Sequence, residues 1–261
     1  MKMGHLELFE KVELNQFRMC FDNLSTDHFP TIHATELTDR TKVQLLLNEV
    51  KERVGAPTLM VAASLFAKRY SHCIAVPALY AMSKFNKCLK MEIGNIVLVN
   101  LNNEDPLWLP KLYLKDQSVY YPNIGENIDW KRDYIKKIFS EHLNTIWNVL
   151  AEVGNISKQI LWENTALYVY WLYENVLQGE SDQQQKNQID LDFKYLLFEA
   201  DSSLFGSDNE NPLLRFYNAK SNINGIEVRK RKTCCFSYEM AVKGTMCKGC
   251  PKKCLSSEYA Q

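Results

Sequence analysis

The sequence predicts an α+β protein: a helix-rich body with a small antiparallel sheet, followed by a C-terminal segment rich in cysteine. Apolar residues recur at helical spacing over residues 38–54, 130–153 and 157–177. Between them, residues 93–99 and 107–114 are short and rich in aliphatic side chains, as strands are. The 261 residues, 46% of them hydrophobic, are enough to bury a sizeable core.

The first half of the chain is predicted to be mainly helical. Residues 38–54 form an amphipathic helix. Pro57 can open a second helix, whose body at residues 59–67 is apolar on all sides and therefore buried. A third and weaker helical stretch, residues 73–88, contains Pro77.

Two strands are predicted after this helical part. The first lies within residues 93–99, and the second, within residues 107–114, alternates apolar and polar side chains. Pro106 and Pro110 favour an edge position for the second strand, because proline cannot donate to a sheet ladder.

A boundary is expected after the two long helices at residues 130–153 and 157–177. Residues 178–188 are polar and almost devoid of apolar side chains, which is typical of a linker. We therefore assign residues 1–188 to a helix-rich body and residues 189–261 to a C-terminal segment, packed together as one unit.

The C-terminal segment is predicted to start with a short helical or extended stretch at residues 189–198. Two strands, residues 213–217 and 226–228, would then be joined through Asn224-Gly225, a dipeptide common in hairpin turns. The second strand leads directly into a basic run and the clustered cysteines.

Charge is balanced overall but unevenly distributed. The chain has 31 basic and 31 acidic residues, yet residues 229–254 hold eight basic residues against one acidic residue. The remainder is therefore net acidic. A basic tail on an acidic body indicates a site for anions. Nucleic acid is disfavoured as the partner, because no segment resembles a nucleic-acid-binding motif.

The sequence shows no export signal and no membrane span. The N-terminal residues lack the apolar core of a signal peptide, and the longest apolar runs are too short to cross a bilayer. We therefore expect a cytoplasmic, reducing location. There, clustered cysteines indicate metal or redox chemistry more often than disulfides.

The eight cysteines divide into two groups. Three are isolated and are expected to be core thiols, whereas five lie in the last 28 residues: Cys20, Cys73 and Cys88, then Cys234, Cys235, Cys247, Cys250 and Cys254. A two-residue gap such as that between Cys247 and Cys250 occurs in zinc and iron–sulfur sites alike. Adjacent cysteines in extended chain point to opposite faces, which favours a two-iron cluster and leaves structural zinc as the alternative.

The segment Arg231-Lys-Thr-Cys-Cys-Phe-Ser-Tyr, followed by Cys247-Lys-Gly-Cys250-Pro251, resembles the C-terminal signature of the FhuF-like ferric siderophore reductases. In that family a basic residue precedes a Cys-Cys pair, and C-x-x-C-P closes the motif. The family is similar in its body to the C-terminal part of the siderophore synthetases, an α+β domain. This chain has one more residue between the pair and C-x-x-C than the commoner family spacing.

The resemblance implies a [2Fe–2S] cluster with four thiolate ligands: Cys234, Cys235, Cys247 and Cys250. Cys254 is expected to be a bystander. The implied activity is one-electron reduction of Fe(III) in a siderophore, an anionic oxygen-ligand chelate with the hydroxamate type as one option. Fe(II) would be released because oxygen ligands hold it less tightly. No catalytic residue beyond the cluster is required.

Four basic residues are candidates for contacting the chelate: Arg229, Arg231, Lys232 and Lys248. Arg231 is the strongest, because it matches the basic position of the family motif. The sequence lacks a dinucleotide-type glycine fingerprint, so we expect an external electron donor such as a ferredoxin, a flavodoxin or a flavin reductase. The alternative function is a zinc-stabilised binding module without redox activity.

Three other features are weaker candidates. Asn164 is polar inside an apolar helix, Tyr238 matches the family motif, and the aromatic residues of 162–173 either line a siderophore pocket or, as we favour, belong to the core. The five histidines show no metal-binding spacing and are expected to be structural or exposed.

Overall fold

Eight α-helices and three small sheets are the main elements of the part of the chain that the computed structural model describes. The described residues are 2–21, 31–99, 110–122, 129–179, 182–207, 209–223, 225–241 and 244–253. The helices are α1 Leu8–Asn15, α2 Arg40–Val54, α3 Leu59–Phe85, α4 Asp129–Lys136, α5 Thr145–Val153, α6 Lys158–Trp171, α7 Gln183–Lys194 and α8 Pro212–Arg215. The predicted helix-rich α+β class is confirmed.

Helix α3 is the central element of the core. It begins at the cap residue Thr58, whose hydroxyl accepts a hydrogen bond from Val61 N at 3.3 Å, and it packs against α2 and α6. Twenty of its residues are buried, including Pro77. The prediction of a separate helix around Pro77 is therefore wrong. Packing on all sides of α3 stabilises the helix by more than the loss of one backbone hydrogen bond at the proline costs.

The other two long helices lie where the sequence predicts them. Helices α4 and α5 are joined through a π-helical segment, Lys137–Asn144, and α6 continues into a second one, Leu172–Val176. The hydroxyl of Ser157 caps α6 by accepting a hydrogen bond from Gln159 N at 3.3 Å.

The strands form three sheets in the described residues. They are β1 Lys2–Gly4, β2 Met19–Cys20, β3 Thr31–His33, β4 Cys88–Leu89, β5 Ile96–Val99, β6 Lys111–Leu114, β7 Val119–Tyr121, β8 Lys220–Ile223 and β9 Ile226–Arg229. One sheet has the order β1-β7-β4, the second β2-β6-β5-β3, and the third is the β8-β9 hairpin. All pairs are antiparallel except β2 with β6.

The edge position predicted for the second strand is wrong. Strand β6 lies between β5, with Leu112 opposite Leu98, and the short strand β2. Pro110 precedes the strand instead of interrupting it, so the strand keeps its donors, and Leu112 N donates to Arg18 O at 2.8 Å. Pro106 lies outside the described residues.

The tail differs from the prediction in two places. Helix α7 runs through residue 188, so the polar stretch is partly helical, and the division at that residue stays a prediction. Residues 213–217 are not a strand, because Asn211 caps the short helix α8 and Pro212 occupies its first turn. The hairpin instead pairs β8 with β9, and Asn224 of its turn lies outside the described residues.

The core is continuous across the helices and the two larger sheets. The three isolated cysteines, Cys20, Cys73 and Cys88, are buried free thiols, as predicted. Among the described residues, no helix combines the length and apolar character needed to cross a membrane.

Candidate functional site

The chain that follows β9 forms a compact cysteine-bearing turn over α3 and α6. Arg231 N donates to Gly249 O at 2.9 Å, and Cys250 N donates to Cys247 O at 3.0 Å, which closes the C-x-x-C turn. Gly249 passes so close to the preceding strand that an added Cβ would lie 2.3 Å from Arg229 O. These contacts join the two halves of the cysteine motif.

The four cysteines lie together as two contacting pairs. The side chain of Cys235 interacts with that of Cys247, and Cys234 interacts with Cys250. Cys235 and Cys250 are buried, whereas the other two are half-buried, and all four are free thiols. The fold therefore brings together residues that are up to 16 positions apart in sequence.

The backbone after the Cys-Cys pair adopts a conformation that is unusual for its residue type. Phe236 has a φ of 58°, in the left-handed region, and its N–H donates to Cys234 Sγ at 3.4 Å. The hydroxyl of Ser237 lies 3.1 Å from Cys235 Sγ. Donors to sulfur of this kind stabilise thiolate and metal-bound sulfur.

A hydrogen bond and nearby cations lower the pKa of Cys235. The hydrogen bond from Cys247 has the largest effect, the charges of Arg231 and Lys68 act in the same direction, and burial opposes the shift. The same hydrogen bond and burial raise the pKa of Cys247 well above its usual range. Burial also raises the pKa of Cys234. The pKa values of the two contacting thiols, Cys235 and Cys247, are thus shifted in opposite directions.

The four cysteines supply the number of thiolates that a [2Fe–2S] cluster or a structural zinc ion takes. Within the described residues, no group of three or more His, Cys, Asp or Glu side chains is arranged to hold a metal ion. The four thiols instead form two neighbouring pairs, and a [2Fe–2S] centre takes two ligands on each of its two irons. Four thiols, sulfur-directed donors and two adjacent cations are chemically compatible with such a cluster.

A buried carboxylate on α6 fixes the chain just before the cysteines. Glu163 is only 1% exposed and accepts hydrogen bonds from Lys232 N at 2.7 Å, from Thr233 N at 2.8 Å and from the Thr233 hydroxyl. It also forms an ion pair with Arg231 Nε at 3.4 Å. Every one of these donors lies in residues 231–233, so Glu163 positions the segment that leads into Cys234.

Two further polar side chains extend this network to α3. Asn164 Oδ1 accepts a hydrogen bond from Arg231 Nη2 at 2.7 Å, and its Nδ2 donates to Ser64 O at 3.1 Å. The Ser64 hydroxyl in turn donates to Cys235 O at 3.0 Å. We refer to Ser64, Glu163, Asn164 and Arg231 as the polar clamp.

The four predicted chelate-contacting residues have different surroundings. Arg229 forms an ion pair with Glu174 and stacks over the Tyr217 ring, 4.1 Å from its centroid. Arg231 is 5% exposed and belongs to the polar clamp, whereas the Lys232 ammonium donates to Arg215 O at 2.5 Å. Lys248 is exposed in the C-x-x-C turn, and Cys254 lies outside the described residues.

A cavity of about 510 Å³ opens beside the polar clamp. Arg231 and Asn164 form part of its wall, and so do three cations from elsewhere in the chain, Arg18, Lys68 and Arg69. Sequence reasoning missed these three, because they are distant from the cysteine motif and match no local pattern. It also missed Glu163 and Ser64. The one feature that could have indicated them is a polar residue inside an apolar helix, which is the feature that indicated Asn164.

The aromatic residues of α6 and its π-helical extension divide between two roles. Trp162, Tyr170 and Tyr173 are buried in the core, as favoured from the sequence. Tyr168 and Trp171, by contrast, line the cavity. Tyr238 hydrogen-bonds to Glu239 and accepts from Lys252, and so lies at the surface of the cysteine turn.

The fold of this helix-rich α+β chain is similar to part of a siderophore synthetase structure. It is similar to aerobactin synthetase IucA from a hypervirulent pathotype of Klebsiella pneumoniae, with a TM-score of 0.54 and 15% identity over 74% of this chain. The ATP-bound form of that synthetase gives a TM-score of 0.51 and 16% identity, again over 74% of this chain. The chain spans 39% and 38% of those two structures.

The family follows from a match to the central part of the sequence. The family described as ferric iron reductase FhuF-like transporter matches residues 64–224, more than half of the chain, and the protein belongs to that family. The matched span includes Ser64, Glu163 and Asn164 of the polar clamp but ends before the cysteine motif. No curated protein matches the sequence.

Proposed function

We propose that this protein is a cytoplasmic ferric-siderophore reductase, which reduces the Fe(III) of a siderophore chelate by one electron and so releases Fe(II). The observation that carries the proposal is that four cysteine side chains form two contacting pairs near Arg231, in a chain of the ferric iron reductase family. The proposed ligands of a [2Fe–2S] cluster are Cys234, Cys235, Cys247 and Cys250.

The cluster would supply one electron at a time, which is the stoichiometry of reducing Fe(III) to Fe(II). The surrounding residues have two tasks. Phe236 N–H and the Ser237 hydroxyl direct donors at sulfur, which stabilises added negative charge. The cations of Arg231 and Lys68 act in the same direction at Cys235, because a four-thiolate cluster becomes more anionic on reduction.

The polar clamp keeps these charges in place. Glu163 and Asn164 hold the Arg231 guanidinium from two sides, so the cation cannot turn away toward solvent when the charge at the cysteines changes. Reduction of iron in a docked chelate requires proximity and no proton transfer. Cations and sulfur are therefore sufficient for the proposed step, without an acid–base pair.

The electron donor is proposed to be a separate protein, a ferredoxin, a flavodoxin or a flavin reductase. Exposed basic residues of the cysteine turn, Lys248 among them, suit an acidic partner. Exposed charges of this kind accelerate association more than they strengthen it.

The experiment is anaerobic purification followed by iron, sulfide and zinc analysis and visible spectroscopy. We expect a red-brown protein with two irons, bleached by dithionite, and an EPR signal in the reduced state. Cys247→Ser abolishes the colour, whereas Cys254→Ser retains it, and Cys20→Ser, at a buried thiol of the body, is the matched control. A colourless protein with one zinc and no iron refutes the proposal in favour of a zinc-stabilised module.

A further inference from the structure

Lys68 is a cation on the buried side of the cysteine turn. It lies on α3, four residues after Ser64, whose hydroxyl donates to Cys235 O at 3.0 Å. Residues four positions apart lie on the same face of a helix, so Lys68 belongs to the face of α3 that meets the cysteine turn. Its charge acts on Cys235 and on Cys247, one cysteine from each half of the motif.

The ammonium group of Lys68 has no partner among the residues that the structure describes. It forms no hydrogen bond and no ion pair with them, although the side chain is half-buried and lines the cavity beside the polar clamp. No Asp or Glu is among the described residues that line this cavity. A cation that loses part of its hydration without gaining a partner is unfavourable unless a negative charge lies nearby. The proposed cluster would supply that charge, because four thiolates make a [2Fe–2S] centre anionic in both oxidation states.

Arg231, a second cation near the cysteines, differs from Lys68 in its partners. Its guanidinium forms an ion pair with Glu163 at 3.4 Å and donates to Asn164 Oδ1 at 2.7 Å. The charge of Arg231 is therefore partly offset, and removing it would also disturb the polar clamp. A substitution at Lys68 breaks no such bond among the described residues, so it isolates the effect of charge on the cysteine turn.

Lys252 is a matched comparison on the solvent side of the turn. Its ammonium donates to the Tyr238 hydroxyl, and its charge interacts with that of Cys234. Lys252 is exposed, whereas Lys68 is half-buried. Water and salt screen a charge at an exposed position, so the two lysines are expected to act unequally on the same site.

We infer that Lys68 is the counter-ion of the cluster on its buried side and that it raises the reduction potential of the cluster. The inference rests on the proposed function through its [2Fe–2S] centre, and it assigns the adjustment of electron affinity to a residue of α3, outside the cysteine motif. Reduction adds one electron and thus one negative charge, which the Lys68 cation stabilises. Lys68 is a positioning residue, since it acts through the cluster and makes or breaks no bond.

The test measures the midpoint potential of the cluster in the absence of any ferric chelate. The anaerobically purified protein is titrated with dithionite in the presence of redox mediators, and the reduced fraction is followed by visible absorption and EPR. At a fixed potential, Lys68→Gln should lower the ratio of reduced to oxidised cluster about tenfold, which corresponds to a midpoint about 59 mV lower for one electron. Two unit charges roughly 10 Å apart, at an effective dielectric constant of about 20, account for a change of this size.

Three further variants separate charge from shape and from exposure. Lys68→Arg keeps the charge and should change the ratio less than about threefold. Lys68→Met removes the charge and keeps an unbranched side chain, so it should reproduce Lys68→Gln and decides the matter if Lys68→Gln does not incorporate iron. Lys252→Gln removes the same charge at the exposed position and should change the ratio less than about threefold.

Three results would overturn the inference. They are a change below about threefold in both Lys68→Gln and Lys68→Met, or a change in Lys68→Arg or in Lys252→Gln as large as that in Lys68→Gln. Failure of the proposed function is distinguishable from these results. A protein without iron and sulfide refutes both proposals before any potential is measured. A cluster that does not reduce ferric chelates refutes the reductase function alone, because the potential is measured without a chelate.

Discussion

Replacing Glu163 by glutamine tests whether the polar clamp is a principal determinant of stability. Glu163 is buried, and its two carboxylate oxygens interact with four donors, all in residues 231–233. Glutamine has the same shape but a single acceptor oxygen and no charge. Whichever way the amide turns, its NH₂ group faces a donor of the segment that leads into Cys234.

The expected cost follows from the burial of the pair. The side chains of Arg231 and Glu163 are each 2% exposed, and removing one partner of a buried pair typically costs about 3–5 kcal/mol. Arg231 retains Asn164 Oδ1 and Thr233 O as acceptors, which places the expected loss near the lower figure. Against a total stability of about 5–15 kcal/mol, the variant still folds but is markedly weakened.

Urea unfolding followed by tryptophan fluorescence measures this loss. Glu49→Gln is the control, because Glu49 pairs with Arg53 on the surface of α2 and is 56% exposed; we expect at most about 0.5 kcal/mol there. In the double variant with Arg231→Met, the two losses should overlap by about 1–3 kcal/mol. A loss below about 1 kcal/mol for Glu163→Gln, or full additivity, would refute the reasoning.

Two further predictions concern the cysteine turn and the pH dependence of stability. Gly249→Ala places a Cβ 2.3 Å from Arg229 O and should lower both the iron content and the melting temperature. The control Gly94→Ala has no atom within 4 Å of the new Cβ and should change neither. Equal behaviour of the two variants would contradict the close approach of Gly249 to Arg229. Burial lowers the pKa of His142 to about 4, so below pH 6.5 the unfolded chain binds a proton that the folded chain does not, and stability falls as pH decreases from 6.5 to 4. Urea unfolding at pH 7.5 and pH 4 measures how much unfolding free energy is lost between the two pH values. This loss should be about 3 kcal/mol smaller in His142→Gln than in the unaltered protein, and an equal loss in both would exclude His142 as the cause.

Much of the helical framework was predictable because it depends on local patterns. The spacing of apolar residues in α2, the serine cap of α6 and the long pattern through α4 and α5 each require only neighbouring residues. The predictions failed where packing overrides a local preference. Pro77 lies inside α3 because surrounding side chains bury it, and β6 is internal because its proline lies before the first paired residue.

The candidate site shows the same division. The sequence itself shows the spacing of the four cysteines and the basic residue before them. It does not show which cysteines of the Cys-Cys pair contact which cysteines of C-x-x-C. That pairing depends on the hydrogen bond between Arg231 N and Gly249 O and on the close approach of the backbone at Gly249. Spacing thus selects a class of cofactor, whereas backbone contacts decide which thiols are neighbours.

The sequence by itself determined the helix-rich α+β class, the cysteine motif and the uneven charge, because each is a property of composition or of short-range spacing. Only the tertiary structure decided where the charges act. It buried Glu163, Asn164 and Ser64 beneath the motif and brought Arg18, Lys68 and Arg69 to one cavity beside it. Electrostatic interactions depend on distance and burial, and both are set by packing between helices that are remote in the chain.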